Sequence, residues 1–288
     1  MGIFMPEIYY PQLSNNALPV THQIDVVDEK GRKQSISIPG ERALTIYLDK
    51  KEVVTLMTLG GAPEALTLGY LRNQRLVTAI TDIQSIQVDW VTDSVAVRTN
   101  VSPESVAQRT EKKTVTSGCG QGTMFGDFMS ELETLQIPEE VFLSQGHIEQ
   151  VIDCIRTHPS IYKKAGSVHA CAVFKNNKDG PELMYFIEDV GRHNAVDAIS
   201  GLMWLDQISG EQLIFYTTGR LTSEMVIKGG QMGIPFLLTR SGVTQMGLSL
   251  AKQIKMTIMA RCSGEHFLVY EGANRIQFRT PSQTAQVS

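Results

Sequence analysis

Apolar and polar positions along this chain change rhythm near residue 110. Before that point they alternate in short runs, His22 to Val27, Ser35 to Ile38, Leu44 to Leu48 and Val53 to Met57, each the length of a strand. The charged turn Asp49-Lys50-Lys51-Glu52 between the last two predicts a hairpin. Ala62-Pro63-Glu64 predicts a helix start, with proline in the first turn and Leu66, Tyr70 and Leu71 on one face. Ile83 to Val88 and Val91 to Arg98 add two strands. Residues 1–20 lack periodicity and read as a flexible tail; residues 21–110 read as a smaller β-rich N-terminal domain.

The polar stretch Asn100 to Thr116 reads as a connector into a second domain spanning 111–288. There the period becomes helical after Ser144, with Ile148, Val151, Ile152 and Ile155 in register and a stop before Pro159. Val168 to Phe174 and Leu183 to Ile187 read as strands joined at Asn176–Gly180. Then come a helix over Asn194 to Trp204, a strand over Gln212 to Tyr216, a helix over Ser223 to Gln231 and a strand over Pro235 to Thr239. A helix over Gln245 to Gln253 and a strand over Thr257 to Ala260 follow. Phe267 to Tyr270 and Arg275 to Phe278 suggest a closing hairpin. Strands alternating with helices predict an α/β layered domain.

At 42% hydrophobic and 19% charged, the chain has material for a substantial core. A net charge of -4 gives no global attraction to nucleic acid, so phosphate binding has to be local. No apolar run of membrane-spanning length and no charged-then-apolar leader pattern is present, and the expectation is a cytoplasmic protein without membrane contacts. Cys119, Cys154, Cys171 and Cys262 are widely spread and form no CxxC pair, which suits a reducing compartment.

Candidate chemistry lies in loops. Cys119 stands in Ser117-Gly118-Cys119-Gly120-Gln121-Gly122, where no neighbouring side chain shields the sulfur, with Lys112 and Lys113 upstream to favour a thiolate. A flexible loop that happens to contain a cysteine is the plainer reading. In an open α/β sheet, ligands gather where strands end and helices begin. Three such junctions carry anion-binding chemistry: Glu188 to Asn194 with Arg192 and His193, Thr217 to Glu224 with Thr218, Gly219 and Arg220, and Arg240-Ser241-Gly242. At the first, Asp189 or Asn194 capping the helix while Arg192 pairs with Glu188 is equally plausible. At the second, ordinary capping by Thr222 or Ser223 is compatible with anion binding. A fourth cluster, Arg261-Cys262-Ser263-Gly264-Glu265-His266, follows the strand ending at Ala260. Four arginines at comparable loop positions suggest a ligand with more than one phosphate.

The run Glu188-Asp189-Val190-Gly191-Arg192-His193-Asn194-Ala195-Val196-Asp197, with Thr218-Gly219-Arg220, Ser223-Glu224-Met225, Lys228, Gly233-Ile234-Pro235 and Arg240-Ser241, resembles the FdhD family. So do Leu44 to Tyr47, Gly166 to Ala170 and Gly118-Cys119-Gly120, and the resemblance covers about residues 40 to 270. It implies a formate dehydrogenase accessory sulfurtransferase. Such a protein takes persulfide sulfur from a cysteine desulfurase onto the residue matching Cys119. It then passes that sulfur to the molybdenum cofactor, in its bis-molybdopterin guanine dinucleotide form, and GDP-like ligands are expected to bind. The cofactor segment would match Arg261 to His266, and the C-terminal half would have a three-layer fold like cytidine deaminase. A homodimer is the expected assembly. Gly122 stands where family members commonly carry a second cysteine, so this loop cannot resolve a persulfide as an internal disulfide. Cys154 and Cys171 read as inert, which leaves Cys262 as the other thiol of interest. That departure keeps a second reading open: a chaperone that binds the guanine-containing cofactor without carrying sulfur. A zinc deaminase needs His-x-Glu and Pro-Cys pairs; Cys171 stands at the glutamate position after His169 and no Pro-Cys pair exists, so no metal is expected.

Overall fold

The computed structural model describes residues 11–101, 135 and 137–279. The N-terminal part is built on a five-stranded sheet in the order β1-β6-β7-β4-β5. Its strands are β1 (Gln12–Leu13), β4 (Arg42–Leu48), β5 (Lys51–Thr58), β6 (Ile83–Asp89) and β7 (Ser94–Thr99). Strands β2 (Thr21–Val27) and β3 (Lys33–Pro39) form a separate antiparallel ribbon. In β4, Leu44, Ile46 and Leu48 are wholly buried while the residues between them face outward, the period-two pattern read from the sequence. The hairpin turn is tighter than expected: Leu48 pairs with Lys51, leaving only Asp49 and Lys50 in the loop. Both take positive φ, 46° and 73°, as a primed two-residue turn demands. The Asp49 carboxylate offsets that strain by accepting the Thr99 N–H at 2.9 Å and the Thr99 hydroxyl at 2.5 Å.

The C-terminal part is a six-stranded sheet, β10-β9-β11-β12-β13-β14. Its strands are β9 (His169–Asn177), β10 (Gly180–Asp189), β11 (Leu213–Thr217), β12 (Phe236–Thr239), β13 (Thr257–Ser263) and β14 (His266–Glu271). The central three run parallel, linked by α5 (Ser223–Gln231) and α6 (Gln245–Gln253); β9, β10 and β14 are antiparallel to their neighbours. Strands buried on both faces read as continuous apolar runs, and LIFYT in β11 is entirely buried. Cys171, Val173, Phe215, Leu237 and Ile258 pack with α4 (Arg192–Leu205), α5 and α6. The alternate residues Ala172, Phe174, Ile214, Tyr216 and Leu238 pack with α2 (Gln145–Thr157) on the other face. The expected mixed α/β layering is what forms. Among the described residues, no helix is long and apolar enough to cross a membrane.

The two sheets are joined through α1 (Pro63–Asn73) and α4, whose backbones touch. A Cβ on Gly69 would lie 1.6 Å from the Asp197 carbonyl oxygen, and one on Gly201 would lie 1.9 Å from the Ala65 carbonyl oxygen. Only glycine admits that approach. Helix α4 is therefore enclosed, with Ala195, Val196 and Ile199 in the core against the C-terminal sheet and Ala198 in the core of the N-terminal sheet.

Three expectations are corrected. The tail expected through residue 20 is anchored from Pro11 on, because β1 pairs with β6 and the Ser14 hydroxyl donates to Glu64 at 2.6 Å. The segments expected as a closing hairpin do not pair with each other: β14 pairs with β13, while β15 (Ile276–Gln277) pairs with β8 (Leu143–Ser144). Arg261 to His266 is not a loop after Ala260. Strand β13 continues to Ser263, with an irregularity in the ladder between Ala260 and Ser263 where Arg261 takes φ 58°. That bulge lets pairing resume, so the cluster is a β-hairpin turning at Gly264-Glu265.

Candidate ligand cleft

The carboxyl ends of β11 and β12 are stitched into a continuous rim. The Ala170 N–H donates to the Thr218 hydroxyl, and the Thr218 N–H to the Ala170 carbonyl, both at 2.9 Å. The Thr239 hydroxyl donates to the Gly219 carbonyl at 2.5 Å, the Leu221 N–H to Gly242 at 3.0 Å and the Arg261 N–H to Ser241 at 3.0 Å. These bonds hold the second, third and fourth clusters at fixed distances from one another. Arg192 reaches in from the first: its Cδ would be 3.1 Å from a Cβ on Gly219, so the missing side chain there makes room for its stem. Arg261 lies similarly over Gly242, with Nη2 3.6 Å from the Cβ position.

His169, half-buried at the start of β9, reports the convergence. Its pKa is held below the ordinary value first by burial and then by the positive charges of Arg192, Arg240 and Arg220. Three guanidinium groups from three different loops thus act on one imidazole.

Beside this rim opens a cleft of about 240 Å³. Its apolar wall is Ile152, Ile155, Val168, Phe186 and Tyr216; Thr218, Arg240, Cys262, Ser263 and Gly264 supply the polar wall. Arg240 stacks on the Tyr162 ring at 5.3 Å to the centroid. Tyr162 belongs to α3 (Ile161–Ala165), which is fastened by the Glu188 carboxylate: it accepts the Ile161 and Tyr162 N–H groups. Glu188 is therefore used to cap α3. Arg156, Tyr162 and Lys163 line the cleft and were missed from sequence, although aromatic and basic residues on both sides of Pro159 were a readable sign.

The predicted site residues separate into three groups. Thr218, Arg240, Cys262, Ser263 and Gly264 line the cleft. Arg192, Gly219, Arg220 and Ser241 belong to the adjoining rim, while Arg261, Glu265 and His266 sit exposed on the hairpin outside the lining. His193 is in none of these groups. It is 3% exposed, with Nδ1 3.2 Å from Glu224 Oε1 but not hydrogen-bonded to it. Burial, then the charges of Lys228, Arg192 and His169, push its pKa down to about 3, so it stays neutral and supplies no cationic contact to an anion. Around it lies a buried charge network. Lys228 Nζ lies 2.9 Å from Asp197 and 3.3 Å from Glu224, and the Asn73 side-chain amide donates to Asp197 at 2.6 Å.

Two helices begin at the rim without a side-chain cap, α4 after Gly191 and α5 after Thr222. A helix start of this kind favours negative charge nearby through its dipole. The thiols of Cys171 and Cys262, near the cleft, are buried by contrast. Burial pushes both Cys171 and Cys262 up to about 12, and Cys171 donates to the Thr217 hydroxyl at 3.5 Å. Cys119 lies outside the described residues.

Known proteins resemble this chain over most of its length. The FdhD/NarQ family pattern matches residues 39–277. Sulfur carrier protein FdhD of Wolinella succinogenes is 26% identical over 239 residues, covering 83% of this chain and 82% of that protein. Sulfur carrier protein FdhD of Sulfurisphaera tokodaii is 30% identical over 233 residues, covering 81% and 87%. In structure, the chain superposes on a protein from Desulfotalea psychrophila solved as a candidate formate dehydrogenase accessory protein. The TM-score is 0.70 at 25% identity, over 90% of this chain and 100% of that one.

Proposed function

The chain belongs to the FdhD/NarQ family, and we propose that it is a sulfur carrier in the maturation of formate dehydrogenase. In this reading, the Cys119 thiolate attacks the terminal sulfur of a persulfide on a cysteine desulfurase. The donor's S–S bond breaks, the donor cysteine leaves as thiolate, and Cys119 holds the sulfur as its own persulfide. That sulfur is then delivered to a molybdenum cofactor bearing guanine dinucleotides, which is substrate here. The cofactor's phosphates would lie among Arg192, Arg220 and Arg240 and the uncapped starts of α4 and α5. A planar ring would fit the apolar wall below Tyr162.

The observation that carries this reading is the convergence of Arg192, Arg220 and Arg240 on His169 beside the cleft. Arg192 is half-buried and Arg220 and Arg240 are exposed, so like charges crowded at one cleft mouth gain from a polyanion that binds them. The raised pKa values of Cys171 and Cys262 favour Cys119 as the sole carrier. Gly122, in place of a second loop cysteine, favours the rival reading of a cofactor chaperone without sulfur transfer.

Incubation with a cysteine desulfurase and cysteine, followed by peptide mass spectrometry, should place one added sulfur on Cys119. GDP binding should be lost in Arg220→Ala and kept in Cys119→Ala. A Cys119→Ala protein that still activates formate dehydrogenase ends the carrier reading and selects the chaperone. Undiminished GDP binding in Arg220→Ala ends the assignment of the rim.

A further inference from the structure

We propose that Asp189 is a positioning residue, which sets Arg192 at the rim by clamping the turn before α4 to the end of β5; the inference rests on the ligand reading above. Asp189 closes β10 opposite His169 and is 5% exposed. Its two oxygens hold different parts of the chain. Oδ2 accepts the Thr58 hydroxyl at 2.5 Å and the Leu59 N–H at 3.1 Å. Oδ1 accepts the Gly191 N–H at 3.0 Å and the Asn194 side-chain amide at 2.8 Å. Asn194 reinforces the junction by donating to the Met57 carbonyl at 2.7 Å. Thr58 and Asp189 are 131 positions apart in sequence, so this carboxylate, with Asn194 beside it, joins the end of one sheet to the first residues of α4.

Burying a carboxylate is costly unless its lone pairs are filled, and here four donors fill them. All four are neutral. The acid reaches no ligand itself. It acts through Gly191, whose N–H it fixes, and Arg192 follows directly in the chain with its stem laid on Gly219. Arg192 is thus aimed from two sides, by Asp189 through the backbone and by Gly219 through the vacant Cβ position. Asparagine cannot reproduce the clamp: its amide group would face two donors on one side of the carboxyl plane.

The test is a double-mutant cycle with GDP as probe, titrated by calorimetry into the full chain. Asp189→Asn and Arg192→Ala should each weaken Kd by about tenfold or more, the scale of one lost hydrogen bond to a charged group. The double variant should be no weaker than Arg192→Ala, because Asp189 acts only through that arginine. A purely structural role would make the two losses additive, and additivity or unchanged binding in Asp189→Asn overturns the proposal. Thr58→Val, which removes one donor and keeps the fold, should give a smaller loss in the same direction. Amide exchange should quicken together at Gly191 to Asn194 and at Leu59 to Gly61 in Asp189→Asn. If the wild-type chain fails to bind GDP, the ligand reading falls and exchange decides the clamp: coupled quickening supports it, and unchanged exchange at either stretch overturns it.

Discussion

Replacing Gly69 by alanine should destabilise this protein severely, although in an isolated helix alanine is favoured over glycine by about 1 kcal/mol. The added Cβ would stand 1.6 Å from the Asp197 carbonyl oxygen, where ordinary contact begins at 3.4 Å. The difference, about 1.8 Å, must come from parting α1 and α4, since the obstacle is backbone and not a side chain that can swing aside. A radial gap of about 0.5–1 Å already forfeits a quarter to a half of the dispersion energy of the contacts it crosses. The same movement stretches the Asn73–Asp197 bond, now 2.6 Å, inside a buried charge network, at a cost of about 1–3 kcal/mol. With overpacking strain of about 1–3 kcal/mol or more, the sum less the propensity gain is a net loss of about 1–5 kcal/mol, to which the lost dispersion adds. That is a large part of the stability of an ordinary domain, about 5–15 kcal/mol. Urea unfolding followed by circular dichroism should show a lower midpoint at unchanged slope. Gly230→Ala is the control, because its Cβ would meet side-chain methyls, those of Leu135, Ile254 and Met256 at 3.0, 3.2 and 3.9 Å, and not backbone. It should change stability by about 1 kcal/mol or less. A Gly69→Ala protein as stable as wild type would refute the close-approach argument.

Lys228→Met should cost about 3–5 kcal/mol, because it strips the cation from the buried carboxylates of Asp197 and Glu224. Burial raises the Asp197 pKa, so in this variant the folded state binds a proton more readily than the unfolded chain and stability should fall as pH rises; a pH-independent urea midpoint would contradict this. His193 behaves oppositely: with its folded pKa pushed from 6.5 to about 3, the unfolded state takes up the proton first. Wild-type stability should therefore be fully present above that ordinary value and be lost as pH falls through the window, and His193→Gln should flatten the upper part of the curve. Native protein treated with iodoacetamide at mildly alkaline pH should carry no label on Cys171 or Cys262, whose pKa values are pushed up to about 12. Rapid alkylation of either thiol before unfolding would show that it is accessible.

Elements with a single strong period were legible in advance. Helices over Ser223 to Gln231 and Gln245 to Gln253 form with the expected bounds, because each has a clear apolar face and a threonine immediately before it. The strand runs from His22 to Met57 likewise appear within a residue or two. Bounds failed where a tertiary contact overrode local pattern. Pro11 to Val20 looks aperiodic, yet a two-residue ladder and the Ser14–Glu64 bond order it. Arg261 to His266 looks like a polar loop, yet a bulge at a positive-φ arginine lets the ladder run through it.

At the cleft, the residue types were readable and their grouping was not. Arginines in strand-to-helix loops and glycines beside them are a local signal, present in the order of the chain. Whether a polar residue faces the ligand or the interior depends on its rotation about the helix and on what packs above it. His193 and Arg192 are adjacent in sequence, and one is buried beside Glu224 while the other reaches the rim. Tyr162 enters the site only because Glu188, in a different element, fixes α3 next to Arg240. The sequence by itself determined the order and kind of the elements, since periodicity and turn chemistry act between near neighbours. Only the tertiary structure decided which polar groups meet, because Asp189 with Thr58 and Asp197 with Asn73 join segments more than a hundred residues apart, where no local pattern records the contact.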